Sequence, residues 1–117
     1  MKVICVIPAW NEAKTISQVV TAVRSQVNEV VVVDDGSSDD TVDLAVAAGA
    51  TVLLHPINRG QGAALRTGTQ YALDRGADII VHFDADGQFV ASEIAEMTAP
   101  IIDGLAEAVF GSRFLGK

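Results

Sequence analysis

The chain has 117 residues, half of them hydrophobic, with a formal net charge of -7 and one cysteine, Cys5. That length fits one domain with a core of modest size, and the acidic balance argues against nucleic acid, whose proteins need a basic face to displace counterions. A lone cysteine excludes an internal disulfide framework or cysteine zinc cluster. No run of about 18 apolar residues marks a membrane span, and the apolar start is too short for a signal peptide, so the chain reads as soluble and cytoplasmic.

In chain order, Lys2 to Ile7 predicts a first strand that holds Cys5 as a small core side chain, ended by Pro8, which cannot donate to a sheet ladder. Ile16, Val19, Val20, Val23 and Val27 recur at helical spacing and predict a helix with one buried stripe. Glu29 to Val33 is so continuous in valine that both faces of that strand must be covered. Asp34 to Asp40 forms a polar loop whose last members, Ser38 to Asp40, suit a helix start. The helix from Thr41 stops at Gly49, a usual position for a terminating glycine.

Thr51 to Leu54 predicts a third strand, closed by His55 and Pro56, and the loop Asn58 to Gly62 leads into a helix that ends at Gly76. Asp78 to Phe83 predicts the fourth strand and delivers the stretch F-D-A-D-G-Q-F, Phe83 to Phe89. Ser92 can cap a further helix carrying Ile94 and Met97, which Pro100 kinks or ends. Ala108 to Phe110 is the fifth strand. His55 reads as a strand-end polar residue, His82 as a packed sheet residue, and Tyr71 and Phe83 as core.

Strand alternating with helix predicts a three-layer α/β fold, a mostly parallel sheet with helices on both faces and right-handed crossovers. Its connections are asymmetric. Those from helix to strand are short and plain, whereas those from strand to helix carry Asn11, Glu12, Asp34, Asp35, Asn58, Arg59, Asp84, Asp86 and Gln88. In a parallel sheet these loops share the carboxyl edge, where open α/β sheets bind ligands.

Asp84 and Asp86, one residue apart at a strand tip, repel unless a cation lies between them. Taken alone, the stretch also reads as an acidic turn with Gly87 supplying the bend. On a shared rim with the other acids it points to a metal and a diphosphate, because each like-charge pair at ~5 Å costs about 3 kcal/mol at an effective dielectric of ~20. Carboxylates suit Mg²⁺ or Mn²⁺, Gln88 could add a neutral oxygen, and Arg113 could supply a fixed positive charge. Outside this context Arg113 reads as a surface arginine.

V-I-P-A-W-N-E (Val6 to Glu12), V-V-D-D-G-S-S-D-D-T (Val32 to Thr41), N-R-G-Q-G-A-A-L-R-T-G (Asn58 to Gly68), D-A-D-G-Q (Asp84 to Gln88) and G-S-R-F (Gly111 to Phe114) follow one another through the chain. Together they resemble the family-2 glycosyltransferases of GT-A fold, and in particular the dolichyl- and polyprenyl-phosphate sugar transferases. The resemblance implies that Pro8, Ala9, Asn11 and Glu12 line a nucleotide pocket and that Asp35, with Asp34, bonds the base edge. It further implies that Asp84 and Ala85 lie against ribose and phosphates, that Asp86 holds the metal with Gln88 assisting, and that Arg113 grips phosphate or sugar. Asp84 and Asp86 are then the catalytic candidates, Asp84, Asp86 and Gln88 the metal ligands, and Mg²⁺ or Mn²⁺ the cofactor. A UDP- or GDP-sugar would be the donor and a polyprenyl phosphate at the cytoplasmic face of a membrane the acceptor.

Gln61 stands where many relatives carry lysine, Phe89-Val90 replaces a frequent His-Pro, and Trp10, often tyrosine, suits stacking or a hydrophobic plug. On the same resemblance, residues 1–117 form a single nucleotide-sugar-binding domain that stops before the acceptor half, so donor binding is the firmer expectation than turnover. The alternatives are a non-catalytic nucleotide-binding module and a haloacid-dehalogenase-like phosphohydrolase, which also uses D-x-D-G after a strand but wants threonine where Gln88 stands. A receiver domain would place its acidic pair after the first strand rather than the second, and Leu65 breaks a dinucleotide fingerprint in the Asn58 to Gly68 loop.

Overall fold

The computed structural model describes residues 1–83, 85, 108–110 and 113–115. Its elements are β1 (Val3–Ala9), α1 (Ile16–Arg24), β2 (Glu29–Asp34), α2 (Thr41–Ala48), β3 (Thr51–Leu54), α3 (Gln61–Asp74), β4 (Ile79–His82), β5 (Ala108–Phe110) and β6 (Arg113–Leu115). The strands form one sheet in the order β3-β2-β1-β4-β5-β6. All pairings are parallel except β5 with β6. The expected three-layer, mostly parallel sheet is therefore present, with the antiparallel β6 as an addition. The predicted helix around Ile94 and Met97 lies outside the described residues.

Alternation along the strands divides the core between two faces. Cys5, Ile7, Val30, Val32, Ile79 and Val81 pack against Ile16, Val19, Val20 and Val23 of α1 and Ala45 of α2. On the other face Ile4, Val6, Val31, Val33 and Ile80 pack against Ala64 and Ala72 of α3. The unbroken valine run of β2 is thus explained by cover on both sides. Cys5 is free and fully buried, and burial pushes its thiol far up, which leaves it a core side chain. Tyr71 and Phe83 join the core as expected, Tyr71 partly buried and Phe83 fully.

Helix α1 ends at Arg24 rather than at Val27, because the Gln26 N–H turns back to the Val23 carbonyl at 2.8 Å and frees the chain to enter β2. Val27 still packs on the core. Gly49 ends α2 at φ +104°, a conformation that a side chain resists. Strand β4 is shorter than the predicted Asp78 to Phe83, yet the Asp78 N–H donates to Lys2 O at 2.8 Å and the Phe83 N–H to Val6 O at 3.1 Å, so the ladder spans the predicted range. At the opposite end of the sheet, Glu29 accepts from Thr51 at 3.1 Å and Tyr71 at 3.0 Å, tying β2, β3 and α3 together.

Candidate functional site

Between β1 and β4 the strand order reverses: β2 and β3 lie to one side of β1, and β4 lies to the other. At such a point the two adjacent crossovers leave in opposite directions and open a crevice at the carboxyl edge. A cavity of about 530 Å³ occupies that place, lined by Pro8, Ala9, Trp10 and Glu12 after β1, Asp35 after β2, Asn58, Gly60, Gln61 and Ala64 around the start of α3, and Ala85 after β4. Trp10 is 52% exposed, which settles its alternatives against a buried plug. The amino-terminal end of α3 opens into the cavity, and its partial positive charge suits an anionic ligand there.

The rim loops are laced together by side chains acting on backbone. The Asn11 N–H donates to Ser37 Oγ at 2.8 Å, and Asn11 Oδ1 accepts the Ser38 N–H at 2.8 Å. This exchange holds Asn11 at φ +52°, the one positive φ among the described non-glycine residues. The Glu12 N–H donates to Thr41 Oγ1 at 2.9 Å, and the Thr41 hydroxyl in turn donates to Asp39 Oδ1. Asp39 also accepts the Thr41 N–H at 3.0 Å and the Ala13 N–H at 3.3 Å. The Thr41 hydroxyl first of all, then these N–H groups, hold the Asp39 carboxyl below the usual range despite the opposing effect of desolvation. Asp39 therefore serves the start of α2, where the expectation embraced Ser38 to Asp40. Thr15 Oγ1 donates to the Ala85 carbonyl, joining the first rim loop to the fourth.

Asp35 is held in the cavity wall by three hydrogen bonds. Its Oδ1 accepts the Arg59 N–H at 2.9 Å and contacts His55 Nδ1 at 2.9 Å, and its Oδ2 accepts the Gly60 N–H at 2.8 Å. Burial pushes its carboxyl up, but the donors from Arg59, His55 and Gly60 outweigh burial and hold it below the usual carboxylate range. An ionised carboxylate only accepts, so His55 Nδ1 carries the hydrogen.

Of the residues that the sequence nominates, Pro8, Ala9, Glu12, Asp35 and Ala85 meet around the cavity. Asn11 does not: its Oδ1 accepts the Ser38 N–H. Asp34 does not either. It is buried, its Oδ2 accepts the Ser37 N–H at 3.0 Å, and its Oδ1 has no hydrogen-bond partner among the described residues. Both positions read as cavity-lining in the sequence because they sit at strand ends, and both instead shape the loop beside it. Arg113 opens β6 opposite Phe110, which is level with His82, so its backbone is at the rim end of the sheet. Asp84, Asp86 and Gln88 lie outside the described residues. Asn58, Gly60 and His55 are the contributors that sequence reasoning left in supporting roles, although the polar end of β3 marks the same rim.

Among the described residues no group of three or more His, Cys, Asp or Glu side chains could hold a metal ion. Ala85, the middle residue of the D-A-D stretch, is 4% exposed and forms part of the cavity wall.

Fold and site together define an open α/β domain with a crevice at the strand-order reversal, and comparison with known proteins narrows this. The family model described as glycosyl transferase family 2 matches residues 4–117. A UDP-N-acetylglucosamine–dolichyl-phosphate N-acetylglucosaminyltransferase of Methanococcus voltae is 36% identical, the match covering 92% of this chain and 50% of the relative. An undecaprenyl-phosphate mannosyltransferase of Micrococcus luteus is 33% identical over 97% of this chain and 49% of the relative. The crystal structure of glucosyl-3-phosphoglycerate synthase from Mycobacterium tuberculosis in complex with Mn²⁺, UDP-glucose and phosphoglyceric acid superimposes with a TM-score of 0.74 at 30% identity, covering 88% of this chain and 40% of that one. The chain belongs to glycosyl transferase family 2 and has the GT-A fold. It spans about half the length of these curated relatives. The family assignment removes the phosphohydrolase and receiver-domain alternatives. Among the described residues no helix is long and apolar enough to cross a membrane.

Proposed function

We propose that the cavity at the β1–β4 reversal holds the nucleotide of a UDP- or GDP-sugar, and that residues 1–117 are the donor-binding half of an inverting glycosyltransferase. The observation that supports this reading is that Asp35, a hydrogen-bond acceptor suited to a base, and Ala85, the middle residue of the D-A-D stretch, line the same cavity. Trp10 offers its ring for stacking on the base, and Asp35 accepts an N–H from the base edge. Glu12, Pro8 and Ala9 close the inner wall. The α3 end and Arg113 balance phosphate charge, which the acidic chain otherwise repels.

Asp84, Asp86 and Gln88 would hold Mg²⁺ or Mn²⁺, which when bound supplies Lewis-acid stabilisation of the departing diphosphate. In the transfer an acceptor oxygen attacks the anomeric carbon as its bond to the nucleoside diphosphate breaks, with inversion at that carbon. The dolichyl- and undecaprenyl-phosphate names of the relatives favour a polyprenyl phosphate as acceptor, whose attacking oxygen is already anionic and needs no base. That acceptor places the working enzyme at the cytoplasmic face of a membrane.

Calorimetric titration with UDP and GDP, with and without Mn²⁺, tests the donor site. Metal-dependent binding that Asp86→Ala makes metal-independent is the expected result. A well-folded chain that binds neither nucleotide sinks the reading. Binding without sugar transfer or hydrolysis, in a chain that includes the acceptor half, favours a non-catalytic nucleotide-binding module.

A further inference from the structure

His55 stands outside the cavity wall yet is bonded from three directions. Its N–H donates to the Asp34 carbonyl at 2.8 Å, extending the β2–β3 ladder by one residue. Its ring, on a residue 6% exposed, reaches Asp35 Oδ1 through Nδ1 and Thr67 Oγ1 of α3 through Nε2, both at 2.9 Å. With Nδ1 donating to Asp35, Nε2 shares the second hydrogen bond with the Thr67 hydroxyl. The ring therefore bridges the end of β2 to the middle of α3, and neither ring nitrogen is left for a ligand.

The effect on Asp35 follows from counting lone pairs. Each carboxylate oxygen accepts about two hydrogen bonds. Oδ1 is filled by His55 and the Arg59 N–H, and Oδ2 holds the Gly60 N–H with one direction remaining. Without the His55 ring, Oδ1 keeps only the Arg59 N–H and gains a second acceptor direction, so that either oxygen could accept from the cavity. With it, a single acceptor direction is presented.

We propose that His55 is a positioning residue for base recognition: it locks the Asp35 carboxylate so that only the open side of Oδ2 is offered to an N–H donor on the nucleobase. The proposal rests on reading the cavity as a nucleotide site. It assigns the selectivity of that site to a buried bridge on β3 and α3 that never touches the ligand.

The test compares His55→Asn, whose amide nitrogen can replace Nδ1 toward Asp35, with His55→Gln, whose amide reaches toward Thr67 instead. UDP and GDP serve as probes with a base, and Mn²⁺-pyrophosphate as a probe without one, all by calorimetry on protein whose folding is checked by circular dichroism. His55→Gln should weaken the nucleotide that the wild type binds by about ten-fold, the value of one hydrogen bond to a charged group. Pyrophosphate affinity should stay unchanged, and His55→Asn should recover most of the loss. Equal weakening of nucleotide and pyrophosphate, or equal behaviour of the two variants, overturns the proposal by making His55 merely structural. Should His55→Gln not fold, Thr67→Val removes the other anchor of the ring and must show the same nucleotide-only loss, or the proposal fails. A folded wild type that binds neither UDP nor GDP defeats the nucleotide reading itself, whereas nucleotide binding indifferent to His55 defeats the positioning role alone.

Discussion

Gly68 of α3 lies against Val6 of β1 so closely that a Cβ built on the glycine would meet Val6 Cγ1 at 2.2 Å and Val33 Cγ2 at 3.0 Å. Val6 and Val33 are fully buried, and valine is stiff about its first side-chain torsion, so neither methyl can swing aside. Gly68→Ala should therefore destabilise the fold by about 1–3 kcal/mol through overpacking, in spite of the roughly 1 kcal/mol that alanine gains over glycine in a helix. Denaturant melts of Gly68→Ala, Val6→Ala and the double variant check the cause: the double variant should be more stable than the sum of the single losses predicts. Strict additivity would place the strain elsewhere.

Thr41 is expected to matter through its hydroxyl alone. Thr41→Val keeps the shape of a fully buried side chain but deletes the acceptor for the Glu12 N–H and the donor to Asp39. A loss of about 1–2 kcal/mol should appear in chemical denaturation. Hydrogen exchange should show faster opening of the Glu12 amide, and Thr41→Ser should restore its protection.

Acid should act on the rim through Asp35. Its carboxyl titrates below the ordinary aspartate value of about 3.9 in the folded chain, so the folded state binds the proton less readily than the unfolded state does. The stabilisation is thus fully present above that ordinary value and is lost as pH falls through the lower folded one. Comparing melting temperatures of wild type and Asp35→Asn from pH 7 downward should show a wild-type advantage that is flat near neutrality and shrinks only below about pH 4. An advantage that instead changes between pH 6 and 7 would implicate a different group.

Trp10 is the chain's sole tryptophan and forms part of the cavity wall. Its fluorescence should change on titration with the nucleotide that binds, in the presence of Mn²⁺. Trp10→Ala should weaken that nucleotide by about ten-fold or more, within the ~1–3 kcal/mol typical of base stacking on an aromatic ring, while Trp10→Phe stays within a few-fold. Unchanged affinity in Trp10→Ala would remove stacking from the site.

Much of this architecture could be read from the sequence where one signal had one meaning. The Thr51 to Leu54 strand, the stop at Gly49 and the polar bias of one sheet edge all appear as expected, because apolar runs, glycine and loop composition act locally. What stayed hidden depends on parity or on distant partners. In β2 both faces are apolar, so the valine run says nothing of which aspartate of the pair at its end turns toward the cavity; Asp35 does and Asp34 does not. The diversion of Asn11 onto Ser38 joins residues 27 apart, and His55 meets Thr67 on a different element. No spacing rule encodes such contacts, which exist only once the loops have been brought together. The short β6 was likewise unannounced, since three residues carry no readable period.

The central position of β1 also sets the order of events during synthesis. It pairs with β2, but its other edge is matched by Val3 with Ile79 and Val6 with His82, more than seventy residues downstream. A nascent chain can assemble β1, β2 and β3 with their helices soon after they leave the ribosome, yet β1 must present a bare apolar edge until β4 emerges. Slowed translation between α3 and β4 should lengthen that exposure and raise the demand for chaperones, so the sheet is most vulnerable just before the D-A-D stretch is made.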